Sequence, residues 1–183
     1  MNQKIINYIR SDYYRYYGVR VSFLRMFLLA LTAKNFGFTY LFWLRLCKNK
    51  SILYPVARIM HYRLSRKYGI HIKRETKIGY GLYLGHSIGI VINPGTIIGN
   101  NCNLSQFLSI GTNNKTPATI GDNVYLGPNV CVVEDVHIGD NSTIGAGSVV
   151  VKDVPANVIV AGVPAKVISS DSNARYIKNK FEL

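Results

Sequence analysis

From Ile72 to Val150 the chain places an aliphatic side chain at every sixth position, with two interruptions. The first run is Ile72, Ile78 and Leu84. After an eight-residue step it resumes at Ile92, Ile98, Leu104 and Ile110; after a ten-residue step it continues through Ile120, Leu126, Val132, Ile138, Ile144 and Val150. The next residue is often glycine, as at Gly79, Gly99, Gly121 and Gly139. The fourth residue on is mostly small or β-branched, as at Thr76, Thr96, Cys102, Val124, Ser142 and Ser148. Neither a helix, which repeats every 3.6 residues, nor an alternating strand gives such a period. A parallel β-helix with three flat sides does, with about six residues to a side and about 18 to a coil. Aliphatic side chains stack inside, and glycine, Asn and Asp turn the corners.

The first 77 residues follow another pattern. Ile5, Ile6 and Ile9 share one helical face, and Phe23, Phe27, Ala30 and Leu31 continue a similar pattern after Gly18. Further helices are predicted over about residues 40–48 and 54–67. The expected fold is therefore mostly β, with a basic α-helical region over 1–70, the β-helix over 71–155, and an exit loop and tail over 156–183.

Charge sharpens that division. The chain has 22 Lys or Arg against nine Asp or Glu, a formal +13. Residues 1–77 hold 16 of the bases and two acids, Asp12 and Glu75; residues 78–183 hold six bases and seven acids. Tyr13, Tyr14, Tyr16 and Tyr17 around Arg15 form an aromatic, basic cluster. Such a surface suits an anionic membrane or an anionic acceptor. No RNP-like segment, GxxG loop or zinc-finger spacing supports nucleic acid as a partner. The three cysteines have no CxxC spacing, and the four histidines, at 61, 71, 86 and 137, have no metal-ligand spacing, so no metal is expected. The apolar stretch from Met26 to Ala33 is far shorter than the roughly 20 residues that span a bilayer. The expected location is the cytoplasm, with peripheral contact at the inner face of the membrane.

The repeats resemble the hexapeptide-repeat acyltransferases, above all the serine acetyltransferase group. Gly69 to Ile72 (GIHI) and Lys77 to Val91 (KIGYGLYLGHSIGIV) look like that group's entry into the helix. Gly145 to Val150 (GAGSVV) and Ala161 to Val167 (AGVPAKV) look like its last coil and exit loop. Gly37-Phe38 and Arg45 keep the spacing of its upstream segment. The resemblance covers about residues 36–168 and implies a left-handed β-helix, a homotrimer with active sites between neighbouring subunits, and acetyl-CoA as donor. Departures stand beside it. The family's catalytic histidine is preceded by a substrate-gripping Asp, here Gly85. Its orienting Asp is here His71, its second histidine aligns near Pro117, and its acidic N-terminal contact has no counterpart around Tyr17-Gly18. Groups suited to a zwitterionic amino acid are thus missing, because a substrate ammonium calls for a carboxylate. The sequence is closer in this respect to capsule and exopolysaccharide O-acetyltransferases. The expected acceptor is a hydroxyl of a sugar in a surface polysaccharide or its precursor. Serine O-acetylation and a non-catalytic basic binding module are the alternatives.

Acetyl transfer to a hydroxyl needs a base for the proton and donors for the oxyanion. An imidazole, with an ordinary pKa near 6.5, suits the first task. His86 occupies an outward-facing third position of its hexapeptide and matches the family's base. His71 or Glu75 would orient it. One coil on, Gln106 should stack on the same side and contact the acceptor or the thioester carbonyl. His137 reads as a corner residue beside Glu134 and Asp135, and His61 as a helix surface or packing residue. The family's contacts to CoA fall on Gly111-Thr112, Gly127-Pro128 and Gly145-Ala146, read as equivalent coil positions that leave room for the pantetheine arm. The inserted segment at 111–119 would overhang the donor, with Lys115 near a phosphate. Ala161, Gly162 and Lys166 would close over the adenine end. Cys102 reads as an inward small residue and Cys131 as a corner, so no covalent acyl-enzyme is expected.

Overall fold

The structure is a computed structural model that describes residues 2–183 apart from Asn114, Lys115, Asn173 and Arg175. Its helices are α1 (Gln3–Tyr17), α2 (Phe23–Thr32), α3 (Phe36–Leu46) and α4 (Tyr54–Tyr68). The side chains of Asn2, Ser22 and Asn35 cap the first three by accepting from backbone N–H groups of Lys4, Arg25 and Phe38. A proline in its first turn starts α4. Gly18 and Gly69 stop α1 and α4 at φ of 67° and 63°. Every residue of α3 from Gly37 to Leu46 is buried. A helix apolar all round has no contrasting face to mark its ends, which is why the sequence pattern started it four residues late.

The strands form three faces. The first holds β1 (Lys77–Ile78), β4 (Ile97–Ile98), β7 (Thr119–Ile120) and β10 (His137–Ile138). The second holds β2 (Tyr83–Leu84), β5 (Asn103–Leu104), β8 (Tyr125–Leu126), β11 (Thr143–Ile144) and β13 (Ile159–Ala161), with β14 (Lys166–Ser169) antiparallel at its end. The third holds β3 (Val91–Ile92), β6 (Ser109–Gly111), β9 (Cys131–Val133) and β12 (Val149–Val150). All other pairings are parallel, so the chain is the expected parallel β-helix behind a helical region. The thirteen aliphatic positions are all inside, none more than 6% exposed. The series runs on through Val154 and Val160, which the count from sequence stopped short of.

The corners explain the rest of the repeat. Asn101, Asn123, Asn141 and Asn157 hold left-handed backbone at φ of 53–60°, which asparagine tolerates well. Asn123 donates to Asn141, and Asn141 to Asn157, each at 3.0 Å, making an amide ladder from coil to coil. A Cβ on Gly79 or Gly99 would lie 2.6 Å from the carbonyl oxygen of the next coil's glycine, so close coil stacking itself demands glycine there.

Polar bonds fasten the helices to the first coil. Arg45 bonds both carboxylate oxygens of Asp12 at 2.8 and 3.0 Å, with both side chains fully buried. Its guanidinium also donates to the carbonyls of Ile78 and Gly79, and Asp12 accepts the N–H of Leu82. Burial pushes the Asp12 carboxyl above its ordinary 3.8, against the pull of Arg45. The Tyr13–Tyr17 segment is not the surface cluster expected from sequence. Tyr13 and Arg15 are buried, and Arg15 reaches the carbonyls of Lys178 and Gly81 and the Asn103 amide oxygen. Burial brings Arg15 down to about 10.

Candidate functional site

One edge of the β-helix gathers most of the expected site. The register aligns Leu84, Leu104, Leu126, Ile144 and Val160 on the second face. The positions that follow them are Gly85, Ser105, Gly127, Gly145 and Ala161, and then His86, Gln106, Pro128, Ala146 and Gly162. Gln106, Pro128 and Ala146 form a column at the edge between second and third faces. The bond from the Phe107 N–H to the Ile88 carbonyl puts Ile88 beside Gln106. His86 therefore stands in the enlarged turn just before it and does not stack on Gln106 as the sequence predicts. Lys166 pairs with Ala161 across β13 and β14, at the far end of the same edge.

The turn that carries His86 contains the two-residue enlargement of the repeat. His86 and Ser87 both have positive φ, 54° and 27°, and the His86 ring is exposed. The helices brace this turn. The Tyr16 hydroxyl accepts the N–H of Leu84 at 2.9 Å and donates to its carbonyl at 3.1 Å. Ser87 Oγ donates to the same carbonyl at 3.1 Å. Gly37 of α3 lies flush on the turn: a Cβ there would stand 2.5 Å from Ser87 Oγ and 2.7 Å from the Leu84 oxygen. Sequence reasoning missed Tyr16 and Ser87 as supports; the lone glycine in an otherwise apolar helix was the available signal. In the next coil, the Gln106 Oε1 is buried without a hydrogen-bond donor. A buried amide oxygen without a donor carries a desolvation cost that an incoming N–H would relieve.

A second group sits elsewhere. A groove of about 1140 Å³ between α4 and the third face is lined by His61, His71, Glu75, Gly111 and Thr112, with Arg58, Arg66 and Lys73 at its margins. His71 extends the third face through its backbone: its N–H donates to Ile90 at 2.7 Å, and its carbonyl accepts from Ile92 at 3.0 Å. Neither His71 nor His86 makes a side-chain hydrogen bond among the described residues, so the expected His71–His86 contact does not form within one protomer. Glu75 does not orient His86 either; it pairs with Arg74 at 2.6 Å, and that guanidinium holds its carboxyl below the ordinary range.

The expected equivalence of the three glycine pairs fails for Gly111. It opposes Val133 on the third face, whereas Gly127 and Gly145 stack on the second. A Cβ on Gly127 would be 2.9 Å from the Ala146 nitrogen, and one on Gly145 would be 3.1 Å from the Ala161 Cβ; one on Gly111 would meet nothing within 4 Å. Coil stacking thus requires glycine at 127 and leaves little room for a side chain at 145. Thr112 donates to Glu134 at 2.9 Å. Lys115 lies outside the described residues.

His137 is not at a corner: it lies in β10 with its Nδ1 2.8 Å from Thr119 Oγ1. Cys131 lies in β9 rather than at a corner. Burial pushes the thiols of Cys47 and Cys102 up to about 11 and about 12, away from thiolate chemistry. Among the described residues no three His, Cys, Asp or Glu side chains are placed to hold a metal ion.

His61 is a packing residue with a polar partner, its Nε2 lying 2.9 Å from the Tyr40 hydroxyl and 3.1 Å from the Ile72 carbonyl. Burial lowers its pKa, only partly offset by that carbonyl. The folded state therefore binds fewer protons here than the unfolded one. Stability is expected to fall as pH drops through about 6.5 and to level off below the depressed folded value. Denaturant melts of wild type and His61→Gln from pH 7.5 to 5 check this: the acid-side slope should shrink in the variant.

The family description "Bacterial transferase hexapeptide (six repeats)" matches residues 117–152. A serine acetyltransferase of Synechococcus elongatus is 34% identical over 119 residues, covering 62% of this chain and 49% of the relative. A galactoside O-acetyltransferase of Escherichia coli K12 is 39% identical over 107 residues, covering 54% and 53%. The crystal structure of Neisseria gonorrhoeae serine acetyltransferase in complex with serine superposes with a TM-score of 0.71 and 30% identity, covering 90% of this chain and 69% of that one. The coenzyme A complex of serine acetyltransferase from Brucella abortus gives 0.70 at 26% identity, covering 92% and 67%. The chain belongs to the hexapeptide-repeat transferases and sits among their serine acetyltransferase homologues. It spans about half the length of the curated relatives it matches.

Proposed function

We propose that the protein is an acetyl-CoA-dependent O-acetyltransferase with His86 as general base. The observation that carries this is an exposed imidazole on a doubly braced turn, at the same edge as a glutamine of the next coil whose buried carbonyl has no donor. In the reaction the acceptor oxygen attacks the thioester carbonyl while a ring nitrogen of His86 takes the hydroxyl proton. The tetrahedral oxyanion then collapses, the C–S bond breaks, and the departing CoA sulfur receives that proton. The pantetheine arm would run along the edge past Gly127-Pro128 and Gly145-Ala146 towards Lys166, and its amide N–H groups suit Gln106 Oε1.

The acceptor reading changes with the comparisons. The relatives and solved neighbours are mostly named as serine acetyltransferases, one of them holding serine, and this favours serine over the polysaccharide hydroxyl expected from sequence. A saccharide acceptor is the second reading, supported by the galactoside O-acetyltransferase likeness and by glycine beside His86. The groove holding His71, Gly111 and Thr112 lies away from the His86 edge, and a trimer in which neighbours meet along these surfaces would join the two groups.

Release of CoA from acetyl-CoA is the test. Saturable release with L-serine establishes the serine reading; release with galactosides or acidic oligosaccharides only establishes the saccharide one. Failure to bind acetyl-CoA overturns both and leaves a binding module. Gly85→Asp refines the result. The nearest heavy atom to a Cβ at Gly85 is 3.6 Å away, an ordinary van der Waals contact, so the backbone there accepts a Cβ. A carboxylate there would pair a substrate ammonium, and kcat/KM for serine is expected to rise roughly tenfold to hundredfold, with the acetyl-CoA KM unchanged.

A further inference from the structure

The inner side of α2 is fully partnered. Met26 and Ala30 are buried, and the rings of Phe23 and Phe27 pack on Phe42 and Trp43 at centroid distances of 5.7–6.1 Å. Its other side is apolar too. Leu24, Leu28 and Leu31 recur at i, i+4 and i+7 and are 65%, 53% and 53% exposed. Leu31 was expected to share the inward face, and the structure turns it outward. Exposed Arg25 lies on the same helix as this stripe and exposed Lys34 follows its C-terminal end. No carboxylate occurs in the sequence between Asp12 and Glu75, and Asp12 is buried against Arg45. α4, packed on the same buried α3, has Val56 and Ile59 outside, with Ile52 exposed in the turn before it.

We propose that the outer face of α2 docks on an anionic lipid bilayer, lying in the plane of its interface. A helix of ten residues is about 15 Å long, half the roughly 30 Å of a hydrocarbon core, so this face can enter a bilayer only sideways. Aliphatic side chains in the acyl boundary with bases at headgroup level is the arrangement of an interfacial helix, and each base near an anionic surface adds attraction. A second copy is the poorer occupant. Pairing this face with itself would crowd Arg25 and Lys34 against their equivalents with no carboxylate of the same segment to meet them. This docking does not depend on acetyl transfer.

The test floats the full chain with vesicles of phosphatidylcholine, with and without phosphatidylglycerol. Binding is expected only to the anionic vesicles and should weaken as salt is raised. Leu24→Gln with Leu28→Gln should lower the bound fraction at least tenfold while leaving the thermal melt and CoA release unchanged; Arg25→Gln with Lys34→Gln should lower it in low salt. Equal flotation of wild type and the leucine variant, or no flotation of either, overturns the proposal. So does a wild-type assembly in light scattering that the leucine variant dissociates, which would assign the face to a second copy.

Discussion

His86→Ala is expected to lower kcat by about 10²–10⁴-fold, the usual loss when a general base is removed, with acetyl-CoA binding retained. The ring is exposed and bonds no other described side chain, so truncating it costs no core packing. The one complication is conformational, because His86 sits at φ 54° and alanine adopts that region less readily. His86→Asn separates the two effects: asparagine tolerates left-handed backbone and keeps the turn but supplies no base. Both variants should lose turnover alike while their melts stay within about 1 kcal/mol of wild type. A His86→Asn enzyme with wild-type turnover would remove His86 from the chemistry. Steady-state CoA release and isothermal titration with acetyl-CoA, run on the same preparations, read both halves of the expectation.

The β-helix was legible because one physical constraint repeats in each coil. Each sixth position is aliphatic, the tight approaches after Ile78, Ile98 and Ile120 are glycine, and many left-handed corners are asparagine, so thirteen positions in register outvoted any local ambiguity. His86 was picked out by its outward third position in the hexapeptide and by the resemblance, not by the repeat itself. The supports of His86 were not, since Tyr16 and Gly37 act across 68 and 47 residues of chain and follow no period. The helical region misled for a related reason. Arg15, Arg45 and Asp12 are charged side chains buried in an interface, and composition counts them as surface. Arg15 and Arg45 are thereby taken from the apparent basic surface, and the bases that stay outside include Arg58, Arg63, Arg66 and Lys67 on α4. The column of Gln106, Pro128 and Ala146 follows from counting along the repeat, but the place of Ile88 rather than His86 beside Gln106, and the separate lodging of His71 and Gly111 on the third face, needed the coil register. The resemblance supplied handedness, which a period does not contain.

Asp12→Ala is expected to cost about 3–5 kcal/mol of stability, because it leaves the Arg45 guanidinium buried with no counter-charge. Arg45 is 0% exposed and would keep only the carbonyls of Ile78 and Gly79, while the N–H of Leu82 would lose its acceptor. At about 2–4 °C per kcal/mol for a chain of this size, the melting temperature should fall by on the order of 10 °C. Replacing both charges, Asp12→Leu with Arg45→Met, should recover much of the loss, since no isolated charge then remains in the core. A double-mutant cycle measures the coupling. The loss should also reach the site. The pair joins α1 and α3 to the first coil, and those two helices carry Tyr16 and Gly37, which brace the His86 turn. In Asp12→Ala, kcat should therefore decline below the temperature at which the chain unfolds, and the doubly apolar variant should restore it. A kcat that tracks only the fraction folded would show that the clasp supports the fold without positioning His86. The 1% exposure of the Asp12 side chain also rules it out as a direct ligand of serine. A rise in serine KM in Asp12→Ala at unchanged stability would contradict that placement.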